Sequence, residues 1–145
     1  MLMMLFTPIK VGKMELKNRI VMPAMHFLPA DQGFLLPDHK DFYTERAWGG
    51  VALIIIGGCT INEEAGSADM ISVRDDRFIP GLAQLAQAVH AEGAKIGGQL
   101  FHAGRYAHSS QLGGRKPVSS SPVRSKLTGE TPLALSLQDI ARTQE

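Results

Sequence analysis

Three short segments gather the side chains best suited to chemistry: Met22-Pro23-Ala24-Met25-His26, Gly57-Gly58-Cys59-Thr60, and the stretch from Gln99 to Tyr106. Each continues a run of apolar residues, so each reads as the C-terminal end of a buried β-strand. Gln99 is the most informative. An amide inside an apolar strand that finds no partner costs roughly 1–3 kcal/mol. Its carbonyl and NH2 together match a ring edge that offers both donors and acceptors, although a neighbouring backbone group would satisfy it as well. Gly57 and Gly58 either let a flat molecule approach the backbone or only turn the chain out of its strand. Met25 and His26 are candidates for the same place, against the plainer reading of a core methionine and a structural histidine.

Other residues bound the chemistry from outside. His102 and Arg105, three apart, suit a phosphate or carboxylate; an arginine that locks a loop onto a carboxylate fits the same spacing. Cys59 is the one cysteine. It reads as a small buried hydrophobe and makes a reducing, cytoplasmic setting the default. The five histidines show no metal-ligand spacing, so no zinc or iron site is expected. With 44% apolar residues, 20% charged residues and a net charge of +1, the chain is neither a disordered segment nor a basic nucleic-acid binder. Its apolar start, Met1 to Phe6, and the run Val51 to Ile56 are too short to span a bilayer.

The elements that must position these residues alternate. Ile20-Val21-Met22 is a short apolar run. Leu36-Pro37-Asp38 opens a helix carrying Phe42, Tyr43 and Ala47, which Gly49-Gly50 end. Val51 to Ile56 is continuous and β-branched, as a strand covered on both faces would be, and Gly57-Gly58 are expected to end it. Pro80 suits a first helical turn, and Leu82, Leu85, Ala86 and Val89 recur at helical spacing as far as Gly93. Ala94 to Phe101 forms the third strand. A long segment from Arg105 to about Leu135 follows, and Ser136 with Asp139 makes a capping box for a final helix near Leu137.

Alternating units with apolar strands mean an α/β fold with a parallel sheet. No G-x-G-x-x-G follows the first strand, which weighs against a dinucleotide-binding open sheet. A closed barrel needs about 200 residues or more, so the expectation is a partial (β/α)8 TIM barrel of about the first three β/α units. Strands are expected near 20–24, 51–57 and 95–101 in one sheet, with helices on one side only. An uncovered third strand implies pairing with further protein, and a homo-oligomer is expected.

Taken in order, Leu5-Phe6-Thr7-Pro8, Leu16-Lys17-Asn18-Arg19-Ile20, Phe42-Tyr43 with Glu45-Arg46-Ala47, Gly50 to Ile54, and Gln99-Leu100-Phe101-His102-Ala103-Gly104-Arg105 resemble the NADH:flavin oxidoreductases of the old yellow enzyme family over nearly the whole chain. Ala24-Met25-His26, Gly57-Gly58 and Tyr106 after Gly104-Arg105 are most similar to the 2,4-dienoyl-CoA reductase branch. The resemblance implies that residues 1–145 are the N-terminal part of an FMN-binding barrel domain. NADH or NADPH would pass hydride through the flavin to an activated alkene, such as a 2,4-dienoyl-CoA or another enoate. Pro23, Ala24, Met25 and His26 would back the flavin ring, Gly58 would make room for it, and Gln99 would bond its pyrimidine edge. Within the resemblance no residue of this chain is catalytic, the segment alone is inactive, and an iron–sulfur cluster belongs to longer chains. An amine dehydrogenase-like member of the same barrel family, or a non-catalytic half-barrel that assembles with a partner, are the rival readings.

Overall fold

The computed structural model describes residues 2–26 and 28–144. A short helix α1 (Leu2–Leu5) leads into a hairpin of β1 (Ile9–Val11) and β2 (Met14–Leu16). Gly12 turns the hairpin at φ 59°, the conformation that two-residue hairpin loops require at their first position. The composition of the apolar start does not announce this hairpin; the Gly12 turn between short strands is the signal for it.

The body of the fold alternates as expected. β3 (Val21–Met22) is followed by α2 (Pro37–Trp48), β4 (Leu53–Thr60), α3 (Ile79–Ala91) and β5 (Lys95–Phe101). The three strands form one parallel sheet in the order β3-β4-β5. Ile54 and Ile56 of β4 are buried in one cluster with Tyr43 and Ala47 of α2 and with Leu85 and Val89 of α3. The helices therefore cover one face of the sheet, the arrangement of a barrel wall rather than of a doubly wound sheet. On the opposite face Leu53 and Ile55 are only partly covered.

The motif Leu16 to Ile20 has a structural job. The Asn18 amide donates to the Gly50 carbonyl at 2.7 Å and its side-chain oxygen accepts from the Ile20 amide at 2.9 Å. It thus ties the entrance of β3 to the turn that follows α2. Lys17 Nζ donates to the carbonyls of Ala47 and Glu92 at 3.3 and 2.9 Å, placing a cation at the C-terminal ends of both α2 and α3, where the helix dipoles favour one.

Several boundaries differ from expectation. β3 is confined to two residues. Gly57-Gly58 do not end β4, which continues through them to Thr60. Of the pair after α2, Gly49 stays right-handed and Gly50 takes the left-handed conformation, at φ 105°. His39 lies on the buried stripe of α2, and its Nδ1 accepts from the Leu36 amide at 3.1 Å, closing the helix N-terminus. The long segment after β5 is not structureless: two 3₁₀ turns, Gly104–Tyr106 and Ser109–Leu112, precede a parallel pair, β6 (Val118–Ser119) with β7 (Leu133–Ala134), and α4 (Leu137–Gln144). The Ser136–Asp139 capping box closes the start of α4, with Ser136 Oγ donating to Asp139 at 2.6 Å and accepting from its amide at 3.2 Å. Leu100, Leu127 and Leu137 stand 70%, 75% and 86% exposed, so apolar surface remains open along β5 and beyond it.

Candidate functional site

The C-terminal ends of the three strands meet at a bulge. β4 and β5 pair regularly as far as Ile56 with Gly98, and the ladder resumes at Cys59 with Leu100. Two residues of β4, Gly57 and Gly58, therefore stand opposite the single residue Gln99. A bulge of this kind bends its strand and re-aims neighbouring side chains, and such bulges are common beside active sites. Gly58 supplies it with φ 73°, a left-handed conformation in which a side chain is strained.

Gly57 matters for a different reason. A Cβ there would lie 2.5 Å from the Met25 amide nitrogen and 2.7 Å from its carbonyl oxygen. The segment after β3 packs its backbone directly on the bulge, which only glycine allows. At Gly58 an added Cβ would come within 2.7 Å of the Met70 Cε and 3.5 Å of the His26 Nδ1. The His26 ring thus sits over the glycine.

A cavity of about 320 Å³ opens at this junction. Ala24, Met25, His26, Gly58 and Gln99 all line it, together with Met70 and Tyr106. Pro23 is exposed and does not line it. Gln99 is exposed at the open edge of β5, and its side chain forms no hydrogen bond with another described residue; nor do the backbone amides of Ala24, Met25 and His26. An exposed amide is hydrated and carries no desolvation penalty, so here the partner that a buried strand position would demand is not required by this chain alone.

The far wall comes from the segment between β4 and α3. Thr60 and Ile71 bond backbone to backbone at 2.8 Å, Gly33 receives the Ser72 amide at 3.0 Å, and Ala65 receives the Ala103 amide at 2.7 Å. These bonds pin the segment to the loops that follow β3 and β5. Met70 is fixed in the cavity as a result. Its apolar side chain, buried over Gly58, is a site residue that sequence spacing does not disclose.

His102 and Arg105 do not act together. The His102 Nδ1 accepts from the Gly104 amide at 3.0 Å, and burial holds its pKa below the ordinary value, with Glu64 opposing. The Arg105 guanidinium donates instead to the Tyr106 hydroxyl at 3.2 Å. Cys59, fully buried beside Ile56, has its thiol pushed up to about 11 by desolvation, which makes it an inert packing group rather than a nucleophile. Among the described residues no cluster of three or more His, Cys, Asp or Glu could hold a metal ion, and no helix is long and apolar enough to cross a membrane.

The arrangement fits a planar, ring-edged ligand. Among the described residues, a side-chain amide with both donor and acceptor unbonded, a run of backbone amides without partners and a glycine surface without side chains converge on one cavity. The comparisons point the same way. The family described as NADH:flavin oxidoreductase / NADH oxidase matches residues 4–145. The metal reductase of Desulforamulus reducens is 50% identical over 94% of this chain, which spans 20% of that protein. The structure of Old Yellow Enzyme from Pichia sp. AKU4542 superposes with a TM-score of 0.87 at 26% identity, over 97% of this chain and 40% of that one. A 2-naphthoyl-CoA reductase in complex with 2-naphthoyl-CoA superposes with a TM-score of 0.88 at 27% identity, over 98% of this chain and 24% of that one. The three strands and their helices are accordingly part of a TIM barrel.

Proposed function

The chain belongs to the NADH:flavin oxidoreductase / NADH oxidase family, and from that premise we propose that the full-length protein reduces activated alkenes with NADH or NADPH through bound FMN. One observation carries the reading. The Gln99 amide, without a partner among the described residues, lies opposite a glycine bulge, beside the backbone amides of Ala24, Met25 and His26, which likewise have none, on a single cavity at the strand ends. Parallel barrels place their reaction centres at that end.

FMN would supply the transfer of hydride from nicotinamide to acceptor. The work of this chain is to hold the ring. The Gln99 amide would pair with the donor and acceptor edge of the pyrimidine, and the backbone from Pro23 to His26 would back the ring. Gly58 would keep its face clear, with Met70 as an apolar stop. The phosphate anchor and the proton donor would come from outside these residues, which is why residues 1–145 alone are proposed to be inactive. An activated alkene on a CoA thioester is favoured among acceptors by the 2-naphthoyl-CoA reductase likeness and by the branch features around His26 and Tyr106. An iron–sulfur cluster in a longer chain belongs to the same proposal.

The test is made on the full-length protein. It should purify yellow, bleach under anaerobic NADH or NADPH, and recover its colour when a 2-enoyl or 2,4-dienoyl thioester is added, with the saturated product detected. Colourless protein would overturn the flavin assignment. Recovery with a ferric chelate but with no alkene would overturn the acceptor.

A further inference from the structure

Freed from His102, Arg105 lines a second cleft. Its volume is about 510 Å³, and its walls are Arg105, Tyr106, Val123, Arg124, Lys126 and Leu127. Tyr106 lines both this cleft and the cavity at the strand ends, so the two are neighbours across one ring.

The charge in the cleft is one-sided. Three cations line it and no carboxylate does. Among the described residues no ion pair engages Arg105, Arg124 or Lys126. The nearby carboxylate, Glu130, is committed elsewhere: it accepts from the Ser109 amide and hydroxyl at 3.1 and 3.2 Å and lies 3.5 Å from the His108 Nδ1. The loop is meanwhile set in place. The Ser125 amide donates to the Glu130 carbonyl at 2.8 Å, and the Arg124 Nε donates to the Gly129 carbonyl at 2.7 Å. That bond fixes the guanidinium and leaves its terminal nitrogens to bind something else.

Three like charges drawn together without a counter-charge repel one another, and an anion relieves that repulsion. Guanidinium and ammonium groups suit phosphoryl oxygens in charge and in the N–H donors they offer. Val123, Leu127 and the Tyr106 ring, each more than half exposed, add an apolar floor of the kind a nucleotide base or an acyl carrier arm would cover. We propose that this cleft binds the phosphoryl groups of a nucleotide-bearing ligand whose reactive end reaches past Tyr106 into the strand-end cavity. Only the role of that cavity rests on the flavin reading; the anion site stands on its own charges. Both a CoA thioester and NADP carry the required chemistry.

Calorimetry on the full-length, flavin-loaded protein tests it with two probes, coenzyme A alone and NADP⁺ alone, each against Lys126→Glu and against Arg124→Ser. Flavin absorbance verifies that the barrel is intact and reads the flavin assignment separately. Loss of one charge-assisted phosphoryl contact should raise Kd by at least about tenfold, and the wild-type affinity should fall as salt rises. A loss confined to coenzyme A assigns the cleft to the acceptor, and a loss confined to NADP⁺ assigns it to the reductant. Unchanged affinity for both probes in both variants would overturn the site, whether or not the protein proves to be an alkene reductase.

Discussion

In the first half of β4, Leu53 to Ile56, each residue pairs in register with β5, and the alternate side chains Ile54 and Ile56 are buried under α2 and α3. In the second half, Gly57-Gly58 face one residue of β5 across a break in register, and what packs on the strand is the backbone of Met25. The first half is held by side-chain burial and the second by backbone proximity. Stability and ligand binding should therefore separate along one strand. Substitutions before the bulge should cost folding energy and leave the ring site alone, and substitutions within it should disturb the site at smaller cost to the fold.

The largest effect is expected at Ile54, which is 0% exposed. Ile54→Ala in the full-length protein should lower unfolding free energy by about 2–5 kcal/mol, as the loss of a buried aliphatic side chain does. The folded fraction should keep its flavin spectrum. Denaturant titration followed separately by far-UV dichroism and by flavin release measures both. A spectrum altered as much as the stability would break the comparison.

Cys59, where the register resumes, sharpens it by pH. The folded thiol titrates near 11 rather than at its ordinary 9.0, because desolvation penalises the thiolate. Between those values the folded state keeps a proton that the unfolded state has released. Stability is therefore full below about pH 9 and falls as pH rises toward 11, by about 2–3 kcal/mol for a shift of that size. Buried Tyr43, also raised by burial, adds a loss of the same sign at higher pH. Melting curves at about pH 8 and pH 10.5 should show a smaller alkaline loss in Cys59→Ala than in the wild type. Parallel losses would place the alkaline transition elsewhere.

Gly57→Ala comes next. Its Cβ would meet backbone atoms at 2.5–2.7 Å, and backbone cannot step aside as the end of a flexible side chain can. Overpacking of this kind costs roughly 1–3 kcal/mol. Here the strain falls on Met25, so flavin occupancy should drop more than the unfolding midpoint does. The ratio of flavin absorbance to protein after dialysis reads this directly. Full occupancy would remove the close approach from the site.

The same division decides what the residues alone disclose. Apolar runs and helical spacing place β4, α2, α3 and β5, because burial of Ile54, Tyr43, Leu85 and Val89 is written in side-chain type. β5 ends at Phe101 as read from the apolar run and begins at Lys95, one residue after Ala94. The bulge is not written that way. Gly57-Gly58 read equally as a strand end, and only the register with β5 reveals that they continue the strand opposite Gln99. Met70 enters the cavity through backbone bonds between segments far apart in the chain, for which local spacing carries no signal. The pairing of His102 with Arg105 fails because the histidine turns back on Gly104, a choice between local partners that spacing leaves open. Ala24, Met25, His26, Gly58 and Gln99 are marked as candidates by the apolar runs they adjoin, and all five line the one cavity; Pro23, in the same segment, is exposed and does not line it.

Gln99→Leu should have the smallest effect on the fold and is the most specific probe of the site. Its side chain forms no hydrogen bond with another described residue, so the substitution removes no bond among them, and stability should stay within about 0.5 kcal/mol. What it removes is the paired donor and acceptor opposite the bulge. One good neutral hydrogen bond contributes about 0.5–1.5 kcal/mol net, so the flavin dissociation constant should rise roughly two- to twelvefold. The reduction potential should move as well, because a bond to the pyrimidine edge stabilises the two redox states unequally. Redox titration beside a reference dye and fluorescence titration of the apoprotein with FMN measure the two quantities. Equal potential and equal affinity in mutant and wild type would take Gln99 out of the ring site. A loss of several kcal/mol in stability would make it a structural partner of the completed barrel, and the strand end would then be held by the same kind of force as its beginning.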